Sequence, residues 1–296
     1  MGAIPVPPGT LPAHLPLLDL KWGGDEGWTI DSQAMLTTTA HPRAAIIFVH
    51  GWGGTAVETW DDFYEIVRTS PRFAPHDIYF FGYPSREHTT AFCAARFRAF
   101  LKDLLLAPDA SVVRPTLATW GSWLSARSTY QRVLLCAHSM GAVVVRRALA
   151  DLDLDVAVAP VLPNVRLLLF APANKGSSLP RLILEGTGRG KLPGARAVAT
   201  ALRVHYRSLD DLEIGSPALE RLESDTYDRL RARRTPSLDT GHLTASVLHA
   251  QHDKVVVQEP FADDLPWDAV MHEDHSSICK PRAAYQLPVE RVEGAI

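Results

Sequence analysis

The sequence predicts an α/β fold built on a doubly wound, mostly parallel sheet, and three observations lead there. Short apolar runs alternate with stretches of helical periodicity along most of the chain. Those runs are apolar on both faces, as a strand must be when helices cover both sides of its sheet. The 296 residues, 46% hydrophobic and 21% charged, also supply enough apolar material for one large core.

Taken in order, the first forty residues are rich in proline and glycine and alternate weakly over 28–39, which predicts an arm and an edge hairpin. Central strands follow at Ala44–Val49, 77–81, 132–136 and Val165–Phe170, with helices predicted over Thr90–Leu106 and 142–152. Strand, helix, strand, helix is the rhythm of crossover units in a parallel sheet. That rhythm breaks between about Asn174 and Asp239, then resumes with an apolar run at 243–248 and a short one at 267–272. A long structureless loop is uncommon in a compact domain. The expectation is therefore a single domain over 1–296, with 176–240 inserted in it as a helical cap.

Charge and cysteine content narrow the function. Thirty basic and 33 acidic residues leave a net charge of −3, which creates no general field for nucleic acid, so no nucleic-acid partner is expected. Three widely spaced cysteines form no CxxC pair and suggest neither a zinc site nor a disulfide framework. No stretch has the length of a membrane span, and the amino terminus lacks a basic start followed by an apolar run. A cytoplasmic protein is expected, with contact to a membrane surface left open and the oligomeric state not indicated.

The strand at 132–136 runs directly into Ala137-His138-Ser139-Met140-Gly141 and then into a helix. A serine lifted off the end of a sheet on a sharp strand-to-helix turn is a nucleophile in waiting, and crowding at the turn demands small residues two before and two after it. Ala137 and Gly141 meet that demand. The pentapeptide by itself is a weak signal, since serine is also a favoured helix cap. Its second support is Val49-His50-Gly51-Trp52-Gly53-Gly54, again at the carboxyl end of a central strand. Acyl transfer develops an oxyanion that two fixed backbone N–H groups can hold, and the amides of Trp52 and Met140 are the candidates. The glycines do not match a phosphate loop or a dinucleotide fingerprint, and His50 is expected to shape the turn.

These two turns resemble those of small bacterial lipases of the α/β-hydrolase superfamily, and Asp274-His275-Ser276-Ser277-Ile278-Cys279-Lys280-Pro281 resembles the bacterial serine-esterase group related to the SERAC and PGAP deacylases. The resemblance covers the core strands and the last quarter of the chain, with Ala137 and Ala142 standing where glycine is commoner. It implies an α/β-hydrolase fold with the catalytic order serine, acid, histidine. Among twelve histidines that order selects His275 as base, with His272 as rival and His138 as packing. It selects Asp253 as the acid over Asp239, Asp268 and Asp274, because Asp253 follows a late strand by a few residues whereas Asp274 adjoins the base it would have to orient.

The expected activity is hydrolysis of a carboxylic ester, on a small molecule or a lipid, through an acyl-enzyme on Ser139. A thioesterase or an acyltransferase would use the same three residues, and a silent binding module of the same fold is the alternative from another class. No metal-ligand motif occurs, and neither a metal nor a cofactor is expected.

Overall fold

In the computed structural model the apolar runs become one eight-stranded sheet. The structure describes residues 18–19, 35–37, 42–108, 129–178, 181–183, 206–232 and 241–296. Its strands are β1 (Leu18–Asp19), β2 (Met35–Thr37), β3 (Ala44–Val49), β4 (His76–Phe81), β5 (Arg132–His138), β6 (Val165–Phe170), β7 (Ala245–Ala250) and β8 (Asp268–Val270), in spatial order β1-β2-β4-β3-β5-β6-β7-β8. Strand β2 pairs antiparallel with both the edge strand β1 and β4, and every pairing from β4 to β8 is parallel. Strand order thus runs outward in one direction from β3 to β4 and in the other from β5 to β8. The crevice at such a reversal, beyond the carboxyl ends of the strands, is where open α/β sheets place their ligands.

The described helices are α1 (Phe63–Thr69), α2 (Thr90–Leu106), α3 (Met140–Leu152), α4 (Ser208–Asp211), α5 (Pro217–Ala232) and α6 (Leu287–Ala295). Alternation along the strands assigns aromatic side chains to the two faces of the sheet. Phe48 of β3 lies opposite Phe80 of β4, and on that face Phe48 meets Trp60 at 4.8 Å and Phe63 of α1 at 5.0 Å between ring centroids. Tyr79 and Phe81, one residue either side of Phe80, meet Phe100 and Phe97 of α2 at 5.8 and 5.0 Å. Edge-on and tilted contacts of this kind add to the burial of large apolar rings.

Two strands are displaced from where periodicity put them: β5 runs on to His138, and β7 starts at Ala245 and ends at Ala250. Both shifts carry strand hydrogen bonding up to the turn that follows. Helix α5, in the segment expected as a cap, lies along α3, where Arg147 pairs with Asp225 at 2.5 Å.

Candidate active site

The site starts from the register of β3 and β5. Val49 lies opposite Ala137, so the turn leaving β3 runs alongside the turn leaving β5. Ser139 has φ 52° and ψ −121°, a left-handed conformation that costs a residue with a side chain about 1–3 kcal/mol and persists only where the surroundings over-determine it. Here they do: the Ser139 amide donates to Phe170 O at 3.1 Å, and Ser139 O accepts from Ala142 and Ala173. The physical reason for the glycines is close approach. A Cβ on Gly141 would stand 2.4 Å from Val49 O and 2.5 Å from His50 O, and one on Gly51 would stand 2.9 Å from both His138 Nδ1 and Ser139 Cβ. The two turns therefore touch backbone to backbone, with Ser139 between them.

His275 Nε2 lies 2.9 Å from Ser139 Oγ, and His275 Nδ1 lies 2.9 Å from Asp253 Oδ2. The three residues form a continuous hydrogen-bonded line, with the His275 and Asp253 side chains 3% and 0% exposed. The other Asp253 oxygen accepts the amides of Val255 at 2.7 Å and Val256 at 3.2 Å. Burial pushes the Asp253 pKa up, but its hydrogen bond and electrostatic attraction to His275, together with the two amides, outweigh burial and hold the carboxyl below its ordinary value. A carboxylate kept ionised and locked by two amides defines which imidazole nitrogen carries the proton, namely Nδ1, and leaves Nε2 to accept one from the serine.

The remaining candidates are elsewhere. Asp274 is exposed and closes its own loop, accepting the amides of Ser276 at 3.1 Å and Ser277 at 2.9 Å. Asp268 pairs with Arg291 at 2.5 Å, and His272 is exposed on a turn with φ 64°. Asp239 lies outside the described residues. His50 is part of the scaffold: its Nδ1 donates to Gly51 O at 2.8 Å, its Nε2 accepts the Tyr83 amide at 3.2 Å, and its ring stacks on Tyr83.

Met140 is the first residue of α3, and an amide at that position has no partner within its helix. In the turn after β3, the Gly53 amide donates to Ser85 Oγ at 2.9 Å and the Gly54 amide to Gly51 O at 3.2 Å. That narrows the donor expected from this turn to the residues ahead of them, where Trp52 sits. Met140 adjoins Ser139 in the chain, and Trp52 lines the same cleft as Ser139.

Sequence reasoning missed three supports. His138 Nε2 donates to His275 O at 2.8 Å, anchoring the loop that carries the base. Burial, with His275 nearby, holds the His138 pKa down at about 3, so this ring is neutral. Tyr83 hydroxyl donates to His50 O at 2.6 Å. Ser208 Oγ donates to Ser85 O at 2.7 Å and accepts from Trp52 Nε1 at 3.1 Å, so α4 of the 176–240 segment rests on the turn that offers Trp52. Tyr83 and Ser85 follow directly on β4 at the carboxyl edge of the sheet, and that position was the available signal; nothing local marks Ser208.

A cleft of about 150 Å³ opens at Ser139, walled by Trp52, Thr59, Leu182, His275, Ser276 and Lys280 among others. Among the described residues no group of three or more histidine, cysteine, aspartate or glutamate side chains is gathered to hold a metal, and no helix is long and apolar enough to cross a membrane.

Comparison with known proteins gives a consistent fold. A family model described as the alpha/beta hydrolase family matches residues 46–295. The mature form of the Bacillus licheniformis lipase BlEst2 superposes with a TM-score of 0.50 at 17% identity, over 88% of this chain and 96% of that one. Its propeptide form gives 0.51 at 17% identity, over 89% and 53% of the two chains. The Legionella pneumophila phospholipase PlaB matches at 24% identity with a TM-score of 0.43, over 70% of this chain and 38% of that one. At 17% identity the likeness to the lipase is one of fold. No curated protein sequence matches the chain.

Proposed function

The chain belongs to the α/β-hydrolase family, and from that premise we propose that it hydrolyses carboxylic esters through an acyl-enzyme on Ser139. The observation that carries this reading is the unbroken line Ser139 Oγ, His275, Asp253, joined at 2.9 Å in both steps. Ser139 Oγ attacks the ester carbonyl carbon while His275 Nε2 takes its proton, and Asp253 stabilises the imidazolium that results. The carbonyl oxygen becomes an oxyanion, held by the Met140 and Trp52 amides and favoured by the amino terminus of α3. Collapse breaks the ester C–O bond, and the leaving alkoxide recovers its proton from His275. Water then repeats the sequence on the acyl-serine and releases the acid.

One hydrolase domain suffices for this chemistry. We assign the 176–240 segment to substrate selection, supported by Leu182 in the cleft wall and by α4 against Trp52. A cleft of about 150 Å³ suits a short acyl chain. A reducing, cytoplasmic setting belongs to the same reading: Cys93, Cys136 and Cys279 are free and buried, and burial pushes Cys93 and Cys279 up to about 12.

The test is a fluorophosphonate label with a panel of p-nitrophenyl esters of increasing chain length. Wild-type protein should label and prefer the shorter esters. Ser139→Ala should not label and should lose about four to six orders of magnitude in kcat. Labelling that survives the substitution would overturn the assignment.

A further inference from the structure

A second cavity, of about 370 Å³, lies against β7 and the segment that follows β6, and shares no lining residue with the cleft at Ser139. Its walls are mostly apolar: Pro172, Val247, Val257, Phe261, Leu265 and Trp267. Lys175, Glu259 and Asp264 also line it, as do two buried polar side chains, Asn174 and His249, which are 3% and 2% exposed. Asn174 Oδ1 and His249 Nδ1 are both buried without a hydrogen-bond partner. A buried polar atom left unpaired costs about 1–3 kcal/mol, and two of them in one cavity call for a common explanation.

The cavity is also held open by its own frame. Asp264 on the wall pairs with the buried Arg146 of α3 at 2.5 Å and accepts the Ala245 amide at 2.9 Å, while the Arg146 guanidinium lies 4.4 Å over the Phe261 ring. On the other side, the Val257 amide donates to Gly176 O, and Gln258 Nε2 donates to Ala250 O at 2.7 Å. A preformed, mainly apolar hollow with a small number of convergent polar groups is the form a small-molecule site takes.

We infer that this cavity is a second binding site, separate from the catalytic cleft, for a small neutral molecule that is mostly hydrocarbon and carries one group able both to donate and to accept a hydrogen bond, such as a carboxamide or an alcohol. The donor of that group satisfies Asn174 Oδ1, its acceptor faces His249, and its hydrocarbon portion covers Val247, Phe261 and Trp267. Of the charged lining residues, Asp264 pairs with Arg146 and Lys175 with Glu223 at 2.5 Å, while Glu259 is exposed to solvent, so no buried unpaired charge faces the occupant. Burial is the main reason that the His249 pKa is lowered to about 4, so near neutral pH the ring presents one donor and one acceptor and no charge. His249 also stands on β7, four residues ahead of Asp253, which places an occupant of this cavity on the same strand end as the loop that meets His275.

Two tryptophans make the proposal testable with one probe, because Trp267 lines this cavity and Trp52 lines the catalytic cleft. Hexanamide titrated into the full-length protein should give a saturable change in tryptophan fluorescence, with a dissociation constant on the order of 1 mM for a ligand of that size. The change should survive Trp52→Phe, disappear in Trp267→Phe, and require at least a tenfold higher concentration in Asn174→Leu. His249→Phe, which removes the other polar partner, should weaken binding in the same way and serves if Asn174→Leu does not fold. A change carried by Trp52, a change indifferent to both polar substitutions, or no saturable change at all would overturn the inference.

Discussion

In the loop after β7, one oxygen of Asp253 accepts the amides of Val255 and Val256; in the loop after β8, one oxygen of Asp274 accepts those of Ser276 and Ser277. Both aspartates use the same local device, a side chain that closes its own turn. Both carboxyls are held below their ordinary pKa, in each case because hydrogen bonds to the ionised form outweigh the burial that opposes them. The difference lies in the second oxygen. In Asp253 it is buried against His275 Nδ1 at 2.9 Å, whereas the Asp274 side chain faces solvent although its residue adjoins His275 in sequence. Local turn chemistry thus makes an aspartate rigid and ionised. Only its place relative to the sheet makes it a partner for the base.

The strongest way to break this comparison is to neutralise each carboxyl in turn. Asparagine keeps the shape of Asp253 but favours the wrong imidazole tautomer, which lowers kcat about 10⁴-fold in the serine-protease example of this effect. Asp253→Asn should approach that loss on a soluble ester with its circular dichroism spectrum intact, while Asp274→Asn should stay within roughly twofold, since it touches only its own turn. Equal losses, or the reverse order, would mean that the loop geometry does not separate the two roles.

A smaller effect tests whether the second loop needs a tether of its own. His138 Nε2 holds the His275 carbonyl at 2.8 Å, so His138→Phe removes a buried hydrogen bond worth about 1 kcal/mol while keeping an aromatic ring in place. kcat should fall by roughly tenfold with KM little changed, because a positioning contact acts on the aligned state more than on substrate binding. An unchanged kcat would show that Asp253 alone orients the base.

The smallest expected effect is on stability. Asp274→Ala deletes the turn contacts and should cost about 1 kcal/mol, as loss of a comparable cap does, or roughly 2–4 °C in Tm for a chain of this class. The sign of the pH dependence follows from the lowered pKa. A depressed carboxyl contributes stability above its unfolded-state value, near 3.8, and loses it as pH falls through the folded-state value. The Tm gap between wild type and Asp274→Ala should therefore be full at pH 7 and narrow below about pH 4. A gap constant down to pH 2 would show that the ionised form contributes nothing to the turn.

Legibility in the sequence followed the range of the interaction concerned. Helix α2 spans the same residues, Thr90–Leu106, that periodicity assigns to it, because its buried positions repeat at helical spacing and Thr89 accepts the Phe92 amide at its start. Short helices carry less periodic signal, and α1 and α6, of seven and nine residues, leave no clear helical pattern in the sequence. The turn at Ser139 was legible because its requirement is steric and local: Gly141 has no room for a Cβ against Val49 O.

The sequence by itself determined the central strands, the crossover rhythm and the two small-residue turns, since each depends on burial or crowding among neighbours in the chain. It also supplied the aspartates and histidines from which a relay could be assembled, but it could rank them only by resemblance and chain order. Tertiary structure alone decided that Asp253 and Asp274, alike in their own turns, differ in what their second oxygen meets. It alone brought His138 under the His275 carbonyl across 137 residues, set Ser208 against Trp52 across 156, and enclosed Asn174 and His249 in one cavity. A hydrogen bond between distant residues depends on where the sheet register and the helix packing deliver their backbones, and no local pattern encodes that sum.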